Sequence, residues 1–453
     1  MPGLSGAEPA PNRKVLIVAY QFPPVGGAGV QRVAKLVKYL GEYGWQPTVL
    51  TVTNPSVPVR DASLENEIPA TVEIARARTW EPGYAVKTLI ADAAGKRRSF
   101  LAAAKSRVAG VLRGIASGVL QPDPQILWYP DAVRVGRTLL RQQGFAAILA
   151  TAPPFSAFLL ASRLARMAKV PLVADYRDEW TISNQCWENR KNGRLSAICQ
   201  KHMENYVLRT AAAVITTTRA STESLRARCQ EAGSEAAVHT IYNGYDDEDF
   251  TSGSQSARSD SQHFRLIYTG TLWNLTTVAP LVEAVKSLAS KRPDLANRLE
   301  LQFVGRRIGA QIELVESLRN TPCKLVVHDY LDHGRSLELL READASCLLL
   351  SDLPGAERVV PAKTFEYMAV GHPILAILPR GETWDLLDGY PQAGRFHPEQ
   401  VVEIKNWLMG ALQKQHNAKQ DVVTAEYVKR FSRYNQAGEF AAVLNRCEGA
   451  SKR

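Results

Sequence analysis

The feature that most constrains this chain is an alternation that occurs twice. Short, almost wholly apolar runs end in turn signals and are followed by helix-length amphipathic segments. The runs at 14–20, 47–53, 146–151, 170–175 and 213–218 make the first series, and those at 264–268, 299–304, 323–328, 345–350 and 374–377 make the second. Strands buried on both faces read as continuous apolar runs rather than as polar/apolar alternation. Both series therefore predict an α/β class with parallel sheets covered by helices, and 14–53 predicts a β-α-β unit. Between the series, Thr251-Ser-Gly-Ser-Gln-Ser-Ala-Arg-Ser-Asp-Ser-Gln262 has the small, polar composition of a linker. The expected organisation is a disordered 1–12, a Rossmann-like doubly wound domain over 13–250, a linker over 251–262 and a second such domain over 263–430. A final helix follows at 431–447, and its pattern permits a return to the first domain. Two such domains facing a cleft place a ligand at their strand ends.

Bulk properties narrow the function classes. At 453 residues the chain exceeds one ordinary core. No apolar run reaches the ~18–20 residues that cross a bilayer, and the first dozen residues lack the plan of a signal peptide, so a cytoplasmic location is expected. Cysteines at 186, 199, 229, 323, 347 and 447 show no C-x-x-C spacing, against a zinc ribbon or a disulfide framework. The formal net charge of +10 asks for an anionic partner. Part of that charge lies in 96–120, where Lys96, Arg97, Arg98, Lys105, Arg107 and Arg113 accompany an apolar helical stripe from Phe100 to Val119 without one acid. Such a segment suits an anionic membrane surface, or a core-facing helix with a solvated basic side. No nucleic-acid motif accompanies the charge, and nucleic acid is not an expected partner.

Three motifs carry chemistry. Gln21-Phe-Pro-Pro-Val-Gly-Gly-Ala-Gly-Val-Gln-Arg32 joins a strand to a helix, a plan that cradles anions because glycine lets backbone amides approach a ligand at a helix start. The spacing of Gly26, Gly27 and Gly29 departs from G-x-G-x-x-G, and a tight strand-to-helix turn is the alternative. Asp175-Tyr-Arg-Asp-Glu-Trp180 stands at a strand's carboxyl end, where open α/β sheets bind ligands; an internal ion pair of Arg177 with Asp175 or Asp178 is the alternative. Aspartates three apart with no neighbouring histidine do not predict a metal. In Pro361-Ala-Lys-Thr-Phe-Glu-Tyr-Met-Ala-Val-Gly-His-Pro373, Pro361 opens a helix, Gly371 closes it and Pro373 prevents its continuation. Phe365, Met368 and Ala369 share a packing face, and Lys363 and Glu366 share another. An ammonium at a helix N-terminus adds to the positive end of the dipole, so an anion, most simply a phosphate, is expected beside it.

Together with Tyr242-Asn-Gly-Tyr-Asp246, Tyr268-Thr-Gly-Thr-Leu272 and Phe303-Val-Gly305, these motifs in this order resemble the GT-B glycosyltransferases of retaining family four, over about 14–444. The resemblance implies a nucleotide diphosphate sugar on the second domain and an acceptor on the first. It gives Glu366 the ribose hydroxyls and Lys363 the charge of the departing diphosphate; Arg306 is a further candidate for that charge because a guanidinium can bind phosphate oxygens in a fork, with a solvated surface charge as the alternative for Arg306 and Arg307. Gly26, Gly27, Gly270, Arg307 and Arg358 complete the expected donor side, and Arg32, Asp175 and Asp178 the acceptor side, with no metal and no cofactor beyond the donor. Departures are specific. The position eight before Glu366, a glutamate in many relatives, is Arg358, and no Arg/Lys clamp follows Gly270. The expected activity is retaining transfer to a sugar or lipid-linked acceptor in polysaccharide or glycoconjugate synthesis, peripheral to the inner face of a membrane. The alternatives are an epimerase or hydrolase of the same fold and a non-catalytic sugar-nucleotide binder.

Overall fold

The computed structural model describes residues 13–57, 59–84, 120–180, 193–251, 263–413 and 422–451. The N-terminal dozen, the linker beyond Thr251 and the basic segment before Leu120 lie outside them. The chain divides into two compact units, one made of 1–217, 221–241 and 436–453, the other of 218–220 and 242–435. The first unit thus yields to the second at Ile241, ahead of the expected linker, and regains the chain's end.

Seven parallel strands make the first sheet: β1 (Arg13–Val18), β2 (Trp45–Val52), β3 (Glu73–Ala77), β4 (Ala147–Ala152), β5 (Leu172–Tyr176), β6 (Ala211–Thr216) and β7 (Ala237–Thr240). Their order is β3-β2-β1-β4-β5-β6-β7. Ile17 pairs with Val49 on one side and Leu149 on the other, so β1 is central and its residues from Val15 to Val18 are enclosed on both faces. The order reverses direction between β1 and β4, and such a switch opens a crevice beyond the strands' carboxyl ends. Helices α1 (Ala28–Tyr39), α2 (Tyr129–Gln142), α3 (Ser156–Ala168), α4 (Arg194–Thr210) and α5 (Arg219–Ala232) alternate with the strands. Two apolar layers result. One holds Tyr20, Trp128, Phe158, Leu160 and Tyr176; the other holds Val33, Val37 and Trp45 with Phe440 and Leu444 of the terminal helix.

Asp123 fixes α3 at this switch: its Oδ2 accepts from Ser156 N at 2.9 Å. Burial pushes its carboxyl up from 3.8 to about 6. The native state then holds a proton that the unfolded chain releases, so this group's contribution to stability falls as pH rises from about 4 to about 6, by roughly 3 kcal/mol. Asp123→Asn keeps an acceptor for Ser156 and is expected to flatten that slope in denaturant titrations at a series of pH values.

The second sheet contains β8 (Phe264–Thr269), β9 (Leu299–Val304), β10 (Lys324–His328), β11 (Ala345–Leu349), β12 (Ile374–Ile377) and β13 (Ala393–Phe396), in the order β10-β9-β8-β11-β12-β13 and all parallel. Its helices are α6 (Ala279–Lys291), α7 (Ala310–Glu316), α8 (His333–Glu342), α9 (Lys363–Val370), α10 (Glu382–Leu386), α11 (Val401–Gln413) and α12 (Val422–Lys429), and α13 (Arg433–Ser451) ends the chain. Pro361 stands at the entry of α9, where Thr364 N donates to Pro361 O at 3.0 Å. Gly371 closes that helix at φ 82°, the left-handed conformation that only glycine adopts without penalty. Phe365, Tyr367 and Met368 are buried. Tyr367 Oη accepts from Thr269 N at 2.9 Å, which pins α9 to the carboxyl end of β8.

Candidate functional site

In the second unit the turns after β8 and β9 are both glycine turns in the left-handed half of backbone space, Gly270 at φ 113° and Gly305 at φ 124°. They pack back to back, so closely that a Cβ on Gly305 would overlap the Gly270 carbonyl. On the other side of Gly270 rests Lys363, whose Nζ would lie 2.6 Å from a Cβ placed there. The same ammonium sits 3.9 Å from the centroid of the buried Tyr268 ring. A positive charge over an aromatic face is attracted by the ring quadrupole, yet no acid pairs with Lys363 among the described residues. Three residues on, Glu366 is half-buried and likewise has no partner among them. The first turn of α9 therefore presents one ammonium and one carboxylate, both open to a ligand.

Arginines complete the surroundings unequally. Arg306 follows Gly305; its carbonyl accepts from Leu272 N at 2.8 Å, and its guanidinium has no partner among the described residues. Arg307, expected on the donor side, is instead committed to the turn itself. It donates to Gly305 O at 2.9 Å and His328 O at 3.0 Å, and pairs with Asp329 at 2.7 Å. Arg358 closes the short helix Ala356–Arg358 and stands 3.9 Å from Glu357. One cation went unforeseen. Arg380, after β12, is exposed, with its guanidinium 4.1 Å above the Trp384 ring and no acid partner among the described residues. Its turn packs against the Glu357–Val359 backbone, through Gly381, where a Cβ would overlap Glu357, and through a hydrogen bond from Thr383 Oγ1 to Val359 O. The Pro379-Arg-Gly381 turn at a strand's carboxyl end was its only sequence signal.

A methyl group at Gly270 would both evict the Lys363 ammonium and oppose a φ that side chains rarely adopt. Gly270→Ala is accordingly expected to displace the Lys363 ammonium and weaken binding of a phosphate-bearing ligand there, while lowering stability by about 1–3 kcal/mol. Calorimetric titration beside a denaturation curve separates the two effects.

The first unit's glycine loop is built differently from its expected role. Gly26 N already donates to Val59 O at 3.1 Å, whereas Gly27, at φ 106°, faces open space. Arg177 fills the loop's underside, donating to Gly29 O and Pro153 O and, at 3.0 Å, to Gln21 Oε1. Its burial lowers its pKa, and the fields of Asp178 and Asp175 oppose that shift. Arg32 and Asp175, expected to contact an acceptor, are taken up by each other. Arg32 Nη2 lies 2.8 Å and Nε 3.1 Å from the Asp175 carboxylate, and both side chains are 2% exposed. Thr151 Oγ1 donates to the same carboxylate at 2.8 Å, and Arg32 also reaches Ile241 O at 3.0 Å. The pair is a buried strut under the loop. Asp178 remains half-buried at the carboxyl end of β5. Among the described residues no group of three or more His, Cys, Asp or Glu could hold a metal ion, and no helix is long and apolar enough to cross a membrane.

Comparison with known proteins adds a domain match and the fold. Residues 26–244 match the family model described as glycosyl transferase 4-like domain. No curated protein sequence matches the chain. Among solved structures, HepE of Anabaena in complex with UDP is 15% identical, with a TM-score of 0.57 over 96% of this chain and 100% of that one. The α,α-trehalose 6-phosphate synthase of Burkholderia multivorans is 12% identical, with a TM-score of 0.58 over 98% of each chain. A UDP-N-acetylglucosamine 2-epimerase of Listeria monocytogenes, so described provisionally, is 12% identical, with a TM-score of 0.52 over 96% of each. Identities at this level establish the fold alone.

Proposed function

We propose that this chain, which has the GT-B glycosyltransferase fold and carries a glycosyl transferase 4-like domain over residues 26–244, transfers a sugar from a nucleoside diphosphate sugar to an acceptor with retention of anomeric configuration. The observation that carries this reading is the Lys363 ammonium resting against Gly270, whose carbonyl packs on the Gly305 turn, with the Glu366 carboxylate, unpartnered among the described residues, three residues away. A diphosphate gains negative charge on its leaving oxygen as the glycosidic bond breaks. A fixed ammonium beside that oxygen stabilises the transition state more than the ground state. Arg306, Arg358 and Arg380 surround the same strand ends and supply further N–H donors suited to phosphate oxygens. A carboxylate suits a ribose diol because its lone pairs accept from both hydroxyls. HepE of Anabaena has been solved with UDP and with UDP-glucose, which supports a uridine donor here. The departing diphosphate takes up the acceptor's proton, and the cations fill the charge-neutralising role without a metal. The acceptor, a sugar or a lipid-linked one in polysaccharide assembly at the inner face of a membrane, engages the first unit beside Gly27 and Asp178.

Glu366→Ala is expected to weaken donor binding about tenfold or more, the equivalent of losing hydrogen bonds to a charged group. Turnover at saturating donor should change less. Titration calorimetry with UDP-glucose and related donors reads this directly, and unchanged affinity would remove Glu366 from the ribose.

A further inference from the structure

Two neighbouring helices of the first unit turn one kind of side chain outward. On α2, Ala132, Val133, Gly136 and Leu139 are buried, and Arg134, Arg137 and Arg141 share the exposed side. On α3, Phe158, Leu160, Ala161 and Leu164 are buried, Arg163 and Arg166 are exposed, and exposed Lys169 ends the helix at φ 56°. The helices come close because Gly136 lacks a side chain: a Cβ there would lie 2.7 Å from Leu164 Cδ1. Arg137 follows Gly136 and Arg163 precedes Leu164, so the two arginine rows run beside each other.

Little on this face offsets its charge. Neither helix exposes an acid. Asp131, half-buried at the start of α2, is shared between Arg134 at 2.7 Å and Arg78 N at 2.8 Å. Glu73, exposed on the edge strand β3, accepts from Gln143 at 2.5 Å. Arg166 stands 6.0 Å from the centroid of the Tyr206 ring, and Arg137, Arg141, Arg163 and Lys169 have no partner among the described residues. A cation in the last turn of a helix complements the dipole, which accounts for Arg141 and Arg166. Arg137 and Arg163 lie in the middle of their helices, beyond that reach. Like charges three and four apart on one face repel, and an anion laid across the rows removes the repulsion.

The surroundings narrow what that anion is. Met167 is the one large apolar side chain that α2 and α3 expose, so the face lacks the apolar groups that enter a bilayer or anchor a protein interface. It exposes no aromatic ring on which a base could stack. Guanidinium forks suit carboxylates. From Arg134 to Arg141 the row on α2 extends about 10 Å, which matches an extended hydrophilic chain carrying repeated acidic groups.

We propose that the exposed face of α2 and α3 binds an acidic polysaccharide through the carboxylates of its successive sugar units. Its residues all belong to the first unit and the Lys363 site to the second, so this assignment and the donor reading fail independently. The test is biolayer interferometry of the full chain on immobilised polygalacturonate, compared with neutral dextran, duplex DNA and phosphatidylglycerol vesicles. The wild-type chain is expected to bind polygalacturonate about tenfold or more tightly than DNA or the vesicles, to ignore dextran, and to release as salt screens the contact. Arg137→Gln/Arg163→Gln/Arg166→Gln should weaken that binding about tenfold or more, because several surface ion pairs are lost together. Lys286→Gln/Lys291→Gln/Arg298→Gln removes the same charge from exposed positions of the second unit and should leave it unchanged. All these side chains are exposed, and unaltered melting temperatures keep the comparison valid. Equal affinity of the wild type and the first triple variant, or equal losses in both triple variants, would overturn the assignment. So would binding to dextran, DNA or the anionic vesicles as tight as binding to polygalacturonate.

Discussion

Lys363→Ala is expected to lower turnover at saturating donor by about 10²–10³-fold, the usual effect of removing one preorganised charge-stabilising group. The size of the effect follows from how the ammonium is held. Helix α9 is pinned to β8 through Tyr367 and Thr269, and the lysine leaves its first residue directly over Gly270. Arg306 and Arg380 leave other turns and cannot reproduce that position. Stability should hardly move, because the contact with Tyr268 is worth about 0.5–1 kcal/mol. Lys363→Arg should not restore activity: a planar guanidinium is bulkier than the ammonium that fits against the glycine face. Near-normal transfer by the alanine variant would remove Lys363 from the mechanism.

The other large effect lies in the first unit and concerns stability. Asp175→Ala should cost about 3–5 kcal/mol, because it leaves the Arg32 guanidinium, 2% exposed, without its counter-charge. Replacing both partners, as in Arg32→Met/Asp175→Leu, should recover most of that loss, since two apolar side chains of similar volume avoid the desolvation of two ions. Chemical denaturation followed for each unit's transition reads the difference, and donor affinity of the folded protein is expected to persist in both variants. A single-variant loss below about 1 kcal/mol would mean that the pair is solvated after all.

Sequence and structure agree where burial is two-sided. Strands β1, β2, β4 and β5 are enclosed by helices on both faces and therefore appear as apolar runs. The edge strands β3, β7 and β13 escape the same reading because Glu73, Arg76, His239 and Arg395 interrupt them with half-exposed polar groups. Helix α9 was legible because Pro361 and Gly371 act locally, and with it the Lys363 and Glu366 pair. What adjacency in sequence cannot show is a partner fixed by strand order. Arg32 meets Asp175 across 143 positions only because β4 lies between β1 and β5. Arg307 looked like a phosphate ligand beside Arg306, and it is committed to Gly305 and His328 because β9 and β10 are neighbours.

The claim that the second unit holds a nucleoside diphosphate sugar through α9 is tested most directly by thermal shift with a panel of UDP-, GDP- and ADP-sugars on the wild-type chain and on Lys363→Ala. A ligand bound only by the native state raises apparent stability by RT ln(1 + [L]/Kd), about 2.7 kcal/mol at a hundredfold excess over Kd. The expected result is a clear rise in melting temperature with one donor class, sharply reduced in the variant. No shift with any donor at millimolar concentration, or equal shifts in both proteins, would contradict it.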